Sequence, residues 1–275
     1  MSLFCCPCCG APLQREEKQY RCPKGHSFDL AKAGYVNLLL PNQKGSKDPG
    51  DSKEMCRARQ EFFAGDYYRC LKERLAQRVV ELAEGWESPR VLDVGCGQGY
   101  YTQAMYEALT QAGKQPQMAG VDISKFALHY GAKNCRQVEY GVASGFHLPV
   151  ADGGAQVVTD VFAPLCWPEF LRVIPKGGYL VLAVPGKDHL WGLKQAVYDK
   201  PYQNEEKEFS QEGFTLISRE KVEDTITIRR PEDILALFHM TPYCWKTGKE
   251  GVARVEVMQE LCTKVDFELH ILKRD

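Results

Sequence analysis

Apolar residues in the second two thirds of the chain recur in two alternating rhythms. Short β-branched and aliphatic runs bounded by Gly, Asp or Pro read as buried strands at 91–94, 118–121, 138–142, 156–161 and 179–184. Helical spacing falls between them, over 101–112, 125–134 and 167–174. This alternation predicts a mainly parallel sheet covered on both faces. Upstream, Met55, Arg59, Phe62 and Phe63 follow helical intervals in a helix starting near Lys53. Asp51 or Ser52 can cap it after a turn at Asp48-Pro49-Gly50. A second helix, about 71–84, carries the stripe Leu71, Leu75, Val79 and Leu82.

Downstream, Pro185-Gly186-Lys187-Asp188-His189 leads into a helix with Leu190, Leu193, Ala196 and Val197. Residues 213–217, 225–228 and 265–272 show strand patterning, and Pro231 opens a helix running to about Phe238. A closing antiparallel hairpin is therefore expected after the parallel strands. Thr241 to Trp245 could present aromatics to a base or plug the sheet, and packing is the commoner use of such residues.

Composition changes this picture in one place. The 275 residues are 44% hydrophobic and 26% charged with net charge −1, as in a soluble globular protein, so no overall charge points to nucleic acid. Residues 1–60, however, hold 10 Lys and Arg against 6 Asp and Glu, leaving 25 against 30 for the rest. No apolar run approaches a membrane span, and cysteines stand where a signal peptide would carry its apolar core. A cytoplasmic location without membrane association is expected.

Five of the 12 cysteines lie in the first 22 residues, a clustering that in a reducing compartment points to metal. Cys6 with Cys9 and Cys22 with His26 form C-x₂-C and C-x₃-H pairs suited to tetrahedral zinc. Cys5 with Cys8 has the same spacing. The Cys6/Cys9 register is preferred because Gly10 then follows the second ligand and permits a tight knuckle. Short strands at Pro12-Leu13 and Tyr20-Arg21 would carry the two knuckles. Four protein ligands leave no open position, so the zinc would be structural and supply much of this module's stability. Arg15, Lys18, Arg21, Lys24 and Lys32 could meet phosphates or could be ordinary solvated charge.

The candidate chemistry centres on Val91-Leu92-Asp93-Val94-Gly95-Cys96-Gly97-Gln98-Gly99-Tyr100. A strand, three alternate glycines and a helix make a ligand-cradling turn. The dinucleotide pattern G-x-G-x-x-G does not fit, since Tyr100 takes the last glycine's place. Asp93-x-Gly95-x-Gly97-x-Gly99 resembles instead the first motif of the class I methyltransferases that use S-adenosylmethionine. That resemblance puts Asp93 beside the ligand's ammonium group and Asp122, ending the next predicted strand, on its ribose hydroxyls. Ser144 and nearby backbone would read the adenine, and Ile123 could pack on its face or belong to the core.

Further motifs are similar, in order and over nearly the whole chain, to the RlmA family. They are the zinc quartet, Gly34-Tyr35-Val36-Asn37-Leu38-Leu39, Asp48-Pro49-Gly50-Asp51-Ser52, Gly65 to Tyr68, Asp93 to Tyr101, and Pro185-Gly186-x-x-His189-Leu190. The resemblance implies methylation of guanine N1 in a hairpin of bacterial 23S ribosomal RNA, with Tyr68, Gly99, Tyr100 and His189 touching S-adenosylmethionine. The family has one residue between the glycine and the tyrosine where this chain has Asp66 and Tyr67, so Tyr67 and Tyr68 are both candidates for that contact.

Asp160 and His189 are the candidates to take the N1 proton, with Asp160 as a loop anchor the rival reading, and Phe162 could stack on the guanine. The expected domains are a zinc-binding module at 1–40, a linker and first helix at 41–62, and a class I methyltransferase domain of α/β type at 63–275. Two chains could assemble on one RNA as a homodimer. Methylation of a small molecule, or a non-catalytic ribosome-associated protein holding S-adenosylmethionine and zinc, are the alternatives.

Overall fold

The computed structural model describes residues 2–45 and 49–275. Asp48, expected to open the turn before the first long helix, lies outside the described residues. β1 (Gln14–Arg15), β2 (Gln19–Arg21) and β3 (Ser27–Asp29) pair antiparallel as a small ribbon; β1 falls two residues after the expected Pro12-Leu13, β2 includes the expected Tyr20-Arg21, and β3 was not expected. β4 (Tyr35–Asn37) follows, then α1 (Lys53–Ala64) and α2 (Arg69–Leu82). Of the two candidate caps, Ser52 is the one used: its hydroxyl accepts from the Met55 N–H at 3.3 Å.

The alternating strands and helices appear where the periodicity placed them. They are β5 (Arg90–Val94), α3 (Tyr100–Gln111), β6 (Gln117–Asp122), α4 (Lys125–Asn134), β7 (Glu139–Val142), β8 (Val157–Val161), α5 (Trp167–Val173) and β9 (Tyr179–Pro185). The chain closes with α6 (Trp191–Val197), β10 (Phe214–Ile228), α7 (Pro231–Met240), α8 (Tyr243–Lys246), α9 (Lys249–Glu256) and β11 (Leu261–Arg274). Pro231 sits in the first turn of α7 with Glu232 and Asp233, which complement the helix N-terminus.

One sheet holds eight strands in the order β10-β11-β9-β8-β5-β6-β7-β4. From β9 to β4 every pairing is parallel, and β11 and β10 add antiparallel at the far edge. The expected hairpin is thus present. Its β10 is a single strand of 15 residues where two shorter ones were expected, carried through a register shift between Leu216 and Ser218. β4 pairs with β7 (Tyr35 opposite Tyr140), so residues 35–37, assigned from the sequence to the N-terminal module, extend the main sheet.

The two faces are covered differently. Leu71, Leu75, Met105, Leu109 and Leu128 from α2, α3 and α4 pack on one. On the other, Phe170 and Val173 of α5 are joined by Phe4, Leu13 and Tyr20 from the N-terminal ribbon. The connection from β7 to β8 holds no helix, and the ribbon stands in its place. The Phe4 ring lies against Gly141, where a Cβ would come within 2.9 Å of it. Tyr20 donates its hydroxyl hydrogen to Glu139 Oε1 at 2.8 Å, and the Cys5 N–H donates to the Pro149 carbonyl at 2.7 Å. Burial of the Phe4 and Leu13 side chains contributes about 1.5–3 kcal/mol each. Among the described residues no helix is long and apolar enough to cross a membrane.

Candidate active site and metal centre

Strand order reverses at β5, whose neighbours β6 and β8 lead to opposite edges of the sheet, and the C-terminal end of β5 opens on a cleft of about 450 Å³. Gly95, Gly97 and Gly99 line the turn out of β5 with φ of +70°, +54° and +76°, conformations that disfavour any Cβ. Their surroundings differ. A Cβ on Gly95 would come within 2.4 Å of Ala163, and one on Gly99 within 2.6 Å of the Tyr140 hydroxyl, whereas one on Gly97 would meet nothing within 4 Å. The outer two press the turn onto the fold, and the middle one leaves its backbone bare to the cleft.

Two acids flank this turn. Asp122, ending β6, accepts the Gly97 N–H on Oδ2 at 2.9 Å and the Ser124 N–H on Oδ1 at 2.7 Å, and burial pushes its carboxyl upward. Asp93 accepts the hydroxyls of Thr102 at 2.5 Å and Thr159 at 2.8 Å, and burial raises it to about 6. Asp93, Asp122, Tyr100 and Ser144 all line the cleft with the glycines. An open glycine backbone between two carboxylates suits a cationic, phosphate-free nucleoside, and Ile123 and Phe146 offer apolar faces for a flat ring.

Behind the cleft wall, the Tyr68 hydroxyl lies 3.2 Å from His189 Nε2, and the Asp266 N–H donates to His189 Nδ1 at 3.3 Å. Since Nδ1 accepts, Nε2 carries the proton and donates to Tyr68. Burial drives the imidazole down to about 3, so it is neutral. Neither Tyr68 nor His189 is among the side chains lining the cleft. They pack with Phe267, and the Phe162 ring, which does line the cleft, stands 6.4 Å from His189 and 5.8 Å from Phe267. Tyr67 is engaged elsewhere, donating to Asp233 Oδ2 at 2.8 Å. Tyr100 donates to Asp66 Oδ1 at 2.6 Å, and its ring stacks on Phe63 with centroids 4.3 Å apart.

Asp160, at the end of β8, is 2% exposed and lies outside the cleft lining. Its Oδ1 accepts the Ala163 N–H at 3.2 Å, as a loop anchor does, while its Oδ2 has no partner. Burial pushes this carboxyl up to about 8. Phe162, two residues on, takes φ of +60°, unusual for a residue with a Cβ, and turns 38% of its surface to solvent.

In the ribbon, the ligand atoms of Cys6, Cys9, Cys22 and His26 all lie within 4.8 Å of one another. Gly10 and Gly25, with φ of +72° and +87°, close the two knuckles by donating to the carbonyls of Cys6 and Cys22. Three thiols and an imidazole form a closed donor set for a structural zinc. The alternative register does not assemble: Cys5 is buried against Pro149, and Cys8 is exposed.

Arg59 and Phe146, which both line the cleft, had no role there from the sequence. Arg59 was visible only as a helical position of α1, and its facing depends on how α1 packs against α4 and α7. Phe146 follows Ser144-Gly145 in a loop and is 52% exposed. An exposed aromatic beside a glycine is its only sequence signal. Of the aromatics after α7, Tyr243 is buried and Trp245 is 75% exposed.

Comparison with known proteins gives two matches to family descriptions, "RlmA, N-terminal" over residues 4–47 and "Methyltransferase domain" over residues 87–227. A 23S rRNA (guanine(748)-N(1))-methyltransferase of Streptomyces fradiae is 31% identical over 90% of this chain and 88% of its own length. A Bacillus subtilis (strain 168) protein, provisionally named a 23S rRNA (guanine-N(1)-)-methyltransferase, is 28% identical over 98% of this chain and 96% of its own length. Among solved structures, a provisionally named methyltransferase of Bacillus halodurans C-125 aligns with TM-score 0.46 at 17% identity, over 72% of this chain and 97% of that one.

Proposed function

Because this chain belongs to the RlmA family, we propose that it transfers the methyl group of S-adenosylmethionine to N1 of a guanine in 23S ribosomal RNA. The observation that carries the reading is the match, over 90% of the chain, to a guanine-N1 methyltransferase in a chain whose cleft pairs a bare glycine turn with two acids.

S-adenosylmethionine, when bound, supplies an electrophilic methyl group on a sulfonium. The chain must hold that donor, exclude water and take one proton. Asp93 would receive the ammonium group and Asp122 the ribose hydroxyls. Gly95, Gly97, Gly99 and Tyr100 would form the floor, and Ser144 with neighbouring backbone would meet the adenine edge. Tyr68 and His189, buried behind the wall, would act by supporting that floor and Phe162. Both nitrogens of His189 are committed, which leaves it no lone pair for a proton.

Phe162 is the residue proposed to stack on guanine. Asp160 is the proposed proton acceptor, since its Oδ2 is uncommitted; burial keeps it protonated at rest, so it must first ionise when the site opens to bind RNA. The carboxyl lies beneath residues 161–164, so this role requires them to shift when RNA binds. Such general-base help contributes roughly 10²–10⁴-fold, and positioning of methyl and nitrogen supplies the rest.

N1 is occupied in a Watson–Crick pair, so the base would be taken unpaired, as in a hairpin loop. The exposed Arg15, Lys18, Arg21, Lys24 and Lys32 of the zinc module would grip its phosphates, and a homodimer would lengthen that grip. The protein would work in the cytoplasm, where its substrate is made. The test is transfer of labelled methyl groups to 23S transcripts against 16S transcripts and small nucleosides. Label in the nucleosides alone would favour a small-molecule methyltransferase, and label in none a non-catalytic protein.

A further inference from the structure

S-adenosylmethionine is a zwitterion at its methionine end, and its carboxylate needs a cation. The acids described above account for the ammonium and ribose and leave this anion unpartnered. Among the described residues lining the cleft, Arg59 is the only one with a cationic side chain. We propose that Arg59 is the specificity-determining residue that receives the methionine carboxylate, an inference resting on the cofactor assignment above.

Three observations support it. First, α1 is tied to the elements that hold the rest of the ligand. The Gln98 side-chain amide donates to the Cys56 carbonyl, one turn before Arg59, and Ser124 Oγ donates to the Asp51 carbonyl at 2.8 Å. Gly50 lies so close to the β6–α4 turn that a Cβ there would come within 2.8 Å of Ile123. Arg59 is thereby carried over the glycine turn on a rigid support.

Second, the guanidinium is held on one edge only. Its Nε lies 2.6 Å from Asp51 Oδ2 in an ion pair that is out of line for a hydrogen bond, and no hydrogen bond among the described residues engages its two Nη groups. A guanidinium tethered by charge on its Nε side presents its remaining N–H groups as a fork that matches a carboxylate. Third, the two acids assigned to the ligand have other partners. Asp93 is satisfied by two hydroxyls and Asp122 by two backbone N–H groups. Asp51 thus acts as the tether that aims Arg59, and the ligand completes its coordination.

The test compares two ligands that share the nucleoside. S-adenosylhomocysteine carries the amino-acid end, and 5′-methylthioadenosine lacks it. Both are titrated by calorimetry into the full-length zinc-loaded protein and its Arg59→Met and Arg59→Lys variants. The expected result is that Arg59→Met weakens S-adenosylhomocysteine by roughly 10- to 100-fold, with a smaller loss in Arg59→Lys, while 5′-methylthioadenosine binds all three alike. Unchanged binding of the thioether nucleoside also reports that the variants are folded. Equal weakening of both ligands, or of neither, overturns the assignment while leaving the cofactor reading intact. A wild-type protein that takes up neither ligand overturns both.

Discussion

The Tyr68 hydroxyl and His189 Nε2, 121 positions apart in sequence, lie 3.2 Å from each other in the wall behind the cleft. That contact joins the start of α2 to the loop after β9, while the Asp266 N–H on Nδ1 fixes which imidazole nitrogen carries the proton. Burial keeps His189 neutral. With a folded-state pKa of about 3 against 6.5 when unfolded, the unfolded chain binds the extra proton between those values. Stability should therefore fall as pH drops from 6.5 toward 3, by at most about 1.4 kcal/mol per pH unit from this group, and be indifferent to it above. Urea midpoints measured from pH 7 to pH 4 should decline less steeply in His189→Gln than in wild type. Parallel declines would mean that the imidazole is protonated in the fold.

The three glycines of the turn should respond differently to alanine. Gly97→Ala should cost about 1–2 kcal/mol of stability for its left-handed backbone, and its methyl group would stand in the cleft and weaken S-adenosylhomocysteine by roughly tenfold or more. Gly95→Ala should lower stability further, because its methyl group meets Ala163. Thermal melts with and without the ligand separate the two. Equal loss of ligand-induced stabilisation per unit of lost stability would show that Gly97 has no special exposure.

Zinc removal should be felt beyond the ribbon, since Phe4, Leu13 and Tyr20 complete one face of the main sheet. A chelator that strips one equivalent of zinc should lower the melting temperature of the whole chain in a single transition. Cys6→Ser and Cys22→Ser should lose the metal, and Cys5→Ser and Cys8→Ser should keep it. A separate low-temperature transition, with the main unfolding unmoved, would show that the ribbon folds and melts independently.

Asp160 should trade stability for activity. Its folded pKa of about 8 against 3.8 means the unfolded chain is ionised while the native one holds its proton, so stability falls as pH rises from 4 to 8. Asp160→Asn, which can still accept the Ala163 N–H, should therefore be more stable than wild type at pH 7, on the order of 2–4 kcal/mol, with the gap closing near pH 4. Its methyl transfer should fall by roughly 10²–10⁴-fold. A stabilised variant with full activity would leave Asp160 only its loop-anchoring role.

What the sequence made legible was what local spacing encodes. The zinc quartet, the alternate glycines, Asp122 at a strand end and the parallel strands each depend on short-range pattern. The departures are non-local. β4 is three residues long and exists because it meets β7 more than a hundred residues later. β10 runs unbroken because β11 pairs with it along its length, although its middle residues, 218–224, are mostly charged and carry no apolar strand pattern. Tyr67 and Tyr68 are adjacent in sequence, and only the folded chain separates them, one on Asp233 and the other on His189. Arg59 is hidden for the same reason, since a helical arginine is ordinarily solvated and its cleft is built by other elements.

The most direct test of the central claim is to methylate a 23S transcript with the purified protein and map the product by reverse transcription. Methylation at guanine N1 blocks the Watson–Crick edge, so the account expects one new stop, at a single hairpin guanine, that requires both S-adenosylmethionine and enzyme. Incorporation without such a stop, or a stop that persists when the cofactor is withheld, would contradict it.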